Sequence, residues 1–194
     1  MKDLIKEIRE ATGTGIVEVK KALEEAGGDK EKAIEILRKK GSLKFGKKSD
    51  RAAKEGIVEA YIHPGGKVGV IVELNCETDF VARTDDFKSL AKDLALHIAA
   101  SNPLYISSEQ VPAEIIEKEK EIYKEQTDFT GKPEEMVNKI LDGKIAKYFQ
   151  EICLLEQAFV KNPETTIKEV IGQATAKMGE NIVIKRFSRF VLGN

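Results

Sequence analysis

The sequence predicts an α+β fold, in which a small N-terminal bundle of three helices precedes an antiparallel sheet layered with helices and a short helical hairpin. Apolar residues recur at helical spacing through residues 1–41. Alternating residues then flank the turn Pro64-Gly65-Gly66-Lys67, as in a β-hairpin. Amphipathic helical segments fill most of residues 85–178, and a strand rich in β-branched and aromatic residues follows at 182–192.

The helical head is predicted to span residues 1–41, with three helices of about ten residues each. Thr12-Gly13-Thr14-Gly15 separates the first two helices, and Gly27-Gly28 ends the second. Asp29 is a suitable N-cap for the third helix, which Gly41 terminates. The apolar stripes of these helices form the expected core: Leu4, Ile5, Ile8 and Ala11; Val19, Ala22, Leu23 and Ala26; Ala33, Ile34 and Leu37.

Two aliphatic residues of the head, Ile16 and Val17, lie where the second helix begins. A bundle of about 40 residues is close to the lower size limit for independent folding, so it needs every aliphatic side chain it has. Ile16 and Val17 therefore belong either to this small core or to an exposed apolar contact, and the local pattern fits both.

A basic linker is predicted at residues 42–56. The wider run Arg38–Lys54 holds eight lysine or arginine residues and one acid. Within it, Gly41–Lys48 nearly matches the phosphate-binding P-loop, but Lys48 stands where that motif needs a hydroxyl, and a helix precedes it instead of a strand. Nucleotide binding is therefore not predicted here. The run could contact RNA or an acidic partner, and Phe45 is its only aromatic residue for stacking on bases.

The remaining residues, 57–194, are predicted to form an α+β core. Four predicted helices follow the first hairpin, at about 85–100, 113–126, 133–155 and 166–178. The second and third of these could pair as a short antiparallel coiled coil. In the final strand the apolar positions change parity around Arg186, which indicates either a β-bulge or a strand covered on different faces along its length. The hairpin's return strand has a core face made of Val68, Val70, Val72 and Leu74.

Composition limits the possible partners and compartments. The 194 residues are 34% charged with a net charge of -1, so the whole chain has no strong electrostatic attraction to nucleic acid or to an anionic membrane. No stretch approaches the ~20 consecutive apolar residues of a membrane span, and the start has no apolar signal-peptide core. Cys76 and Cys153 fit no zinc or redox spacing, which favours a reducing cytosol. We therefore expect a cytoplasmic protein without membrane or direct nucleic-acid partners.

The sequence predicts no catalytic residue, no cofactor and no metal site. His63 and His97 have no Ser or Cys neighbour at triad-like spacing, and His97 is expected to be a hydrogen-bonded core residue. The acidic residues at positions 77–86 could suggest a metal site, but they lack the ligand spacing around a glycine that a calcium loop needs. Asp79 and Asp85 are instead expected to be helix N-caps.

The loop that follows the second strand is the most informative segment. Between that strand and a helix that begins near Asp85, Thr78–Val81 predicts a single helical turn with Phe80 at its tip. A loop between two rigid elements is well placed to present a large aromatic side chain. If Phe80 protrudes, the protein acts by inserting a side chain into another molecule.

Two segments resemble the signatures of one family. Asn75–Arg83, which reads NCETDFVAR, resembles the signature of bacterial translation elongation factor Ts. Arg9–Ile16, followed by Lys20–Leu23, resembles that family's N-terminal signature. Essentially the whole chain is similar to the short members of the family, which have one core subdomain where long members have two and an inserted coiled coil. Shorter similarities lie at Lys47-Lys48, Glu55-Gly56 and Gly179–Ile182.

This resemblance implies a guanine-nucleotide exchange factor for elongation factor Tu. The head would be a ubiquitin-associated-like bundle that docks on the partner's GTPase domain through Ile16 and Val17. Near the partner's Mg²⁺ site, Phe80 would wedge between partner side chains. The turn as a whole would shift the elements that hold Mg²⁺ and the phosphates, through Thr78, Asp79, Phe80 and Val81. The likeness to short members also implies a homodimer, with the final strand Ile182–Leu192 and the apolar sheet face as candidate surfaces.

Two other functions are compatible with parts of the sequence. A protein-binding adaptor could use the helical head, but it would not require the loop that carries Phe80. An RNA-binding protein could use the basic linker, and its binding would then depend strongly on salt. The near-zero net charge argues against the second function.

Overall fold

The computed structural model describes residues 2–12, 16–37, 51–129 and 133–193. The chain divides into two compact units, one of Met1–Leu96 with Lys168–Asn194 and the other of His97–Ile167. Most of the basic linker, with its P-loop-like segment and Gly41, lies outside the described residues. The boundaries predicted for the head, the linker and the core therefore stay predictions.

The head contains the three predicted helices: α1 at Lys2–Thr12, α2 at Ile16–Glu25 and α3 at residues 30–37. The backbone N–H of Gly28 donates to the carbonyl of Leu23 at 2.8 Å, which closes the end of α2 as expected. The Asp29 carboxylate accepts the backbone N–H of Lys32 at 3.1 Å, so the predicted N-cap of α3 is confirmed. The buried core of the bundle is made of Ile8, Val19, Ala22, Leu23, Ala33 and Leu37.

An antiparallel sheet follows. Its strands are β1 at Glu55–Ile62, β2 at Val68–Cys76 and β5 at Val183–Val191, and they lie in the order β1-β2-β5. Opposite β5, Glu73 pairs with Arg186 while the next residue, Leu74, pairs with Ile184, so one residue of β5 is left over. Of the two explanations that the change of parity allowed, the β-bulge is confirmed, and it is the reason for that change.

The two faces of the sheet differ in exposure. On one face Val70, Val72 and Leu74 of β2 are fully buried, as predicted, and Ile184 of β5 is buried beside them. The fourth residue of the predicted core face, Val68, is only half-buried. Helices cover this face with buried side chains that include Phe87, Leu90, Ala91, Leu94 and Ile171. On the other face, apolar side chains stay exposed to solvent: Val58, Ile62, Ile71 and Phe190.

The helices of the core lie close to their predicted positions. They are α4 at Asp79–Ala82, α5 at Asp85–Ser101, α6 at Ala113–Gln126, α7 at Glu134–Ile152 and α8 at Ile167–Met178. Ile115 and Phe149 contribute to one cluster, and the Lys144 ammonium lies 5.0 Å from the ring centre of Tyr123. These contacts make α6 and α7 the predicted antiparallel hairpin. Within the described residues, no helix combines the length and the apolar character needed to cross a membrane.

A second, two-stranded sheet was not predicted from the sequence. It pairs β3 at Ala158–Phe159 with β4 at Asn162–Thr166. A strand of two residues is too short to produce a recognisable alternation, and most of β4 is exposed and polar.

Candidate functional site

The loop between β2 and α5 starts from the buried end of β2. Leu74, Asn75 and Cys76 are all buried, and the Cys76 thiol donates to the carbonyl oxygen of Thr78 at 3.1 Å. The single turn α4 lies against the ends of β1 and β2. The loop therefore leaves the sheet from a packed base and does not hang free.

Two threonines define the ends of this loop. The hydroxyl of Thr78 accepts the backbone N–H of Val81 at 3.5 Å, and its carbonyl accepts the N–H of Ala82 at 3.3 Å. At the other end, the Thr84 hydroxyl donates to the Val81 carbonyl at 2.8 Å and accepts the N–H of Phe87 at 3.3 Å. Thr78 thus caps the start of α4, and Thr84 caps the start of α5.

The prediction that Asp79 and Asp85 are the N-caps is therefore wrong by one residue in each case. Both are the first residues of their helices, where a carboxylate still interacts favourably with the positive end of the helix dipole. A cap must precede the first turn to reach the free N–H groups, and the threonine hydroxyls do so. The Asp79 carboxylate instead pairs with the Arg83 guanidinium, with 2.7 Å between Oδ2 and Nη2.

Phe80 points away from the rest of the described chain. Its side chain is 78% exposed, whereas Ala82, two residues later in the same turn, is only 4% exposed. Ala82 therefore packs against the rest of the described chain, whereas Phe80 extends into solvent. The protrusion of Phe80 that the sequence predicted is confirmed.

Ile16 and Val17 are also exposed. They are the first two residues of α2, at 48% and 66% exposure, while Val19 in the same helix is fully buried. This exposure excludes the interpretation in which both fill the core of the head. Two adjacent aliphatic side chains at the start of a helix leave a small apolar contact surface.

Comparison with known proteins gives a consistent result along the whole chain. A family model described as elongation factor TS matches residues 2–194. Elongation factor Ts of Heliobacterium modesticaldum is 57% identical over 190 residues, which cover 98% of this chain and 88% of that protein. The protein of the same name from Carboxydothermus hydrogenoformans gives the same figures. That of Fervidobacterium nodosum is 55% identical over 190 residues, with 98% and 96% covered.

The chain belongs to the elongation factor Ts family. It is a guanine-nucleotide exchange factor for elongation factor Tu and acts in translation elongation; it is not an enzyme. An exchange factor needs no reactive group, because it acts by binding one state of its partner better than another.

Two potentially reactive side chains, those of His97 and Cys76, are placed as structural groups. His97 is fully buried; its Nε2 lies 3.0 Å from Gln157 Oε1, and its Nδ1 accepts the N–H of Val160 at 3.3 Å. Burial lowers the pKa of His97 and so favours the neutral ring. The prediction of a hydrogen-bonded core histidine is confirmed.

The cysteine at the base of the loop is similarly inert. Burial, reinforced by the nearby Glu180 carboxylate, raises the pKa of the Cys76 thiol to about 11, so it stays protonated at neutral pH. Three of the acidic residues at positions 77–86 pair with neighbours in the fold: Asp79 with Arg83, Glu77 with Arg51, and Asp86 with Lys177. In the part of the chain that the structure describes, no three His, Cys, Asp or Glu side chains come together as a metal site would require.

One set of contacts at this site could not be found by reading the loop itself. Glu180 and Asn181, far along the chain, contact Glu77 and Thr78 at the base of the loop. The only signal in the sequence was that Gly179–Ile182 is among the segments that resemble the family. This resemblance singled out the segment that contains Glu180 but did not indicate that it contacts the loop.

Proposed function

We propose that this chain accelerates GDP release by pressing Thr78–Val81 into the Mg²⁺ site of elongation factor Tu, with Phe80 as the wedge. The observation that carries this is the 78% exposure of a large aromatic side chain on a turn that is hydrogen-bonded at both ends. An aromatic side chain on a flexible loop would fold back onto the chain or lose conformational entropy on binding. On a loop that is already ordered, the same side chain is inserted with little loss of entropy. Asp79, beside Phe80, would approach the same site.

The Mg²⁺ site is an effective target for such a wedge. In GTPases the ion bridges phosphate oxygens and neutralises their charge, so a shift of the elements that hold it weakens nucleotide binding strongly. The coupling is reciprocal: if the inserted loop weakens GDP binding, GDP weakens the binding of this chain by the same factor. The test is the release of labelled GDP from purified elongation factor Tu, with this chain carrying either Phe80 or alanine.

We also propose that Ile16 and Val17 dock the head on the GTPase domain of the partner, as part of a division into head 1–41, linker 42–56 and core 57–194. Their exposure supports this, since the small bundle has left two aliphatic side chains outside its core. Docking by the head would raise the affinity of this chain for elongation factor Tu, and insertion of the loop would raise the rate of GDP release.

Replacing both residues with serine separates these two contributions. We expect the concentration of this chain that gives half-maximal GDP release to rise by about tenfold or more, because apolar burial is lost on binding. The release rate at saturation should not change. Glu24→Ser, an exposed change at the other end of α2, is the matched control. A lower rate at saturation with an unchanged half-saturating concentration would contradict a docking role.

The open face of the sheet supports a further proposal, that two copies of this chain pair through it. Cross-strand neighbours place Ile62 and Phe190 on either side of Gly69, and both are about two-thirds exposed. Ile71 and Val58 extend this apolar area along the face. Soluble monomers rarely leave such a contiguous area in water, and a second copy would cover it with an identical one.

A charge placed on this face should separate the copies. We expect the unaltered chain to scatter light at micromolar concentration as twice the mass of one 21.5 kDa chain, and Phe190→Glu to scatter as a single chain. Burying an unpaired carboxylate against apolar surface costs several kcal/mol in each copy, more than such an interface offers at that position. Glu164→Gln, an exposed change on β4, is the control. A monomeric unaltered chain would exclude the pairing.

A further inference from the structure

The carboxylate of Glu180 accepts three hydrogen bonds from the base of the loop that presents Phe80. Its Oε2 accepts the backbone N–H groups of Glu77 at 3.1 Å and Thr78 at 3.0 Å. Its Oε1 accepts the Thr78 hydroxyl at 2.6 Å. Hydrogen bonds to an ionised acceptor are stronger than neutral ones, so this side chain is the main polar anchor of the loop.

The contact is reciprocal. While Glu180 holds the backbone of residues 77 and 78, the Glu77 carboxylate accepts the backbone N–H of Asn181 at 2.7 Å. The same Glu77 oxygen lies 3.5 Å from the Arg51 guanidinium. Two segments more than a hundred residues apart in sequence are thereby locked to each other by an exchange of carboxylate and backbone groups.

The loop needs such an anchor because it cannot hold its own shape. A single helical turn is unstable alone, since ordering it costs more entropy than its few hydrogen bonds recover. The capping bond from Val81 to the Thr78 hydroxyl is long, at 3.5 Å, and Phe80 at the tip is mostly in water. The geometry of the turn must therefore be imposed from its base.

Glu180 is itself held by rigid elements. Gly179 has φ of 82° and ends α8, with its N–H bonded to the Thr175 carbonyl at 3.0 Å. Three residues after Glu180, β5 begins and pairs with β2. The carboxylate is thus presented from a short turn between a helix and a strand.

We propose, on the basis of the function proposed for Phe80, that Glu180 is a positioning residue of the exchange reaction. It holds Thr78 and α4 in the geometry in which Phe80 enters the partner. Its effect on GDP release is exerted through the loop, and without it the chain still binds elongation factor Tu but inserts Phe80 less often.

Two substitutions measure this role. Glu180→Ala removes all three hydrogen bonds, and we expect the rate of GDP release at saturation to fall about tenfold. The half-saturating concentration should change much less. Glu180→Gln keeps the shape: its carbonyl oxygen can accept both N–H groups and its amide can donate to the Thr78 hydroxyl. We expect it to retain the rate within about threefold, because only the charge assistance is lost. Glu164→Ala, an exposed carboxylate on β4, is the control.

Combining Glu180→Ala with Phe80→Ala shows whether the effect passes through the wedge. If it does, Glu180→Ala adds almost nothing once Phe80 is gone, and the two free-energy effects are strongly non-additive. Amide hydrogen exchange provides a readout without the partner. In Glu180→Ala the amides of Val81 and Ala82 should exchange faster, while those of Val70 and Val72 in β2 keep their protection.

Each outcome is decisive. A normal release rate for Glu180→Ala, with Phe80→Ala slow, would overturn the positioning role and leave the wedge intact. Fully additive losses, or equal loss of protection in β2 and α4, would also overturn it, because Glu180 would then act on general stability. A normal rate for Phe80→Ala would instead overturn the wedge itself, and with it any action of Glu180 through the wedge. Non-additive losses with rescue by Gln support the inference.

Discussion

Replacing Phe80 with alanine is expected to slow GDP release from elongation factor Tu by about ten- to a hundredfold at saturating concentrations of this chain. Burying a phenylalanine side chain supplies roughly 1.5–3 kcal/mol, and in the proposed mechanism it is buried only when the loop is inserted. This free energy then favours the state of the partner in which nucleotide is weakly held. The measurement is the fluorescence change on release of a labelled GDP, followed after rapid mixing with excess unlabelled nucleotide.

The folded state should tolerate this change, which makes the result interpretable. Since Phe80 is 78% exposed, its truncation should alter the free energy of unfolding by no more than about 0.5 kcal/mol. Leu104→Ala removes another exposed apolar side chain, at 61% exposure, and should leave the release rate unchanged. If Phe80→Ala released GDP as fast as the unaltered chain, insertion of this side chain would not be the mechanism.

The largest expected loss of stability comes from Gly56→Ala. Gly56 pairs with Asn75 in the sheet and has φ of 148°, a backbone conformation that residues other than glycine rarely adopt. A Cβ added there would lie 2.1 Å from the Leu74 carbonyl oxygen and 2.7 Å from the Asn75 Cα. Both are backbone atoms of the central strand and cannot move aside alone. We expect the free energy of unfolding in urea to fall by about 3 kcal/mol or more.

A substitution at a second glycine, Gly143, is a matched control whose expected effect on the free energy of unfolding has the opposite sign. Gly143 lies within α7, and a Cβ added there would meet nothing within 4 Å. Gly143→Ala should therefore raise the free energy of unfolding by about 0.5–1 kcal/mol, through helix propensity and a less flexible unfolded chain.

A Gly56→Ala protein as stable as the unaltered one would mean that the strands separate there at little cost. Because Asn75 leads into the Phe80 loop, we also expect slower GDP release from the destabilised variant.

Local spacing was enough to predict most elements of the fold. The head helices, the β-hairpin turn and the antiparallel hairpin of α6 and α7 follow from apolar periodicity and from glycine and proline signals. Even the β-bulge near Arg186 was visible, because one extra residue shifts the alternation of every residue after it. The sheet of β3 and β4 was missed, because its strands are too short or too polar to show an alternation. The other errors were small ones at helix ends, where Asp79 and Thr78 both suit the start of a helix and only backbone geometry distinguishes them.

Exposure was the property that the sequence left open. Ile16 and Val17 fitted a core position as well as a contact surface, and Val58 and Ile62 alternate as residues of a covered face would. Whether a side chain is covered depends on what packs against it, and that is decided by elements distant in sequence. The open face of the sheet is an example, since Val58, Ile62 and Ile71 are exposed there while Val70 and Val72 on the other face are buried.

The sequence by itself determined most elements of this protein, the family to which it belongs and the importance of the segment around Phe80. These depend on short-range spacing and on strings of neighbouring residues, which are present in the unfolded chain. Only the tertiary structure decided how that segment is held. Thr78 contacts Glu180 at a sequence separation of 102 residues. No local pattern encodes such a pairing, because it exists only once α8, β5 and β2 have been brought together by folding.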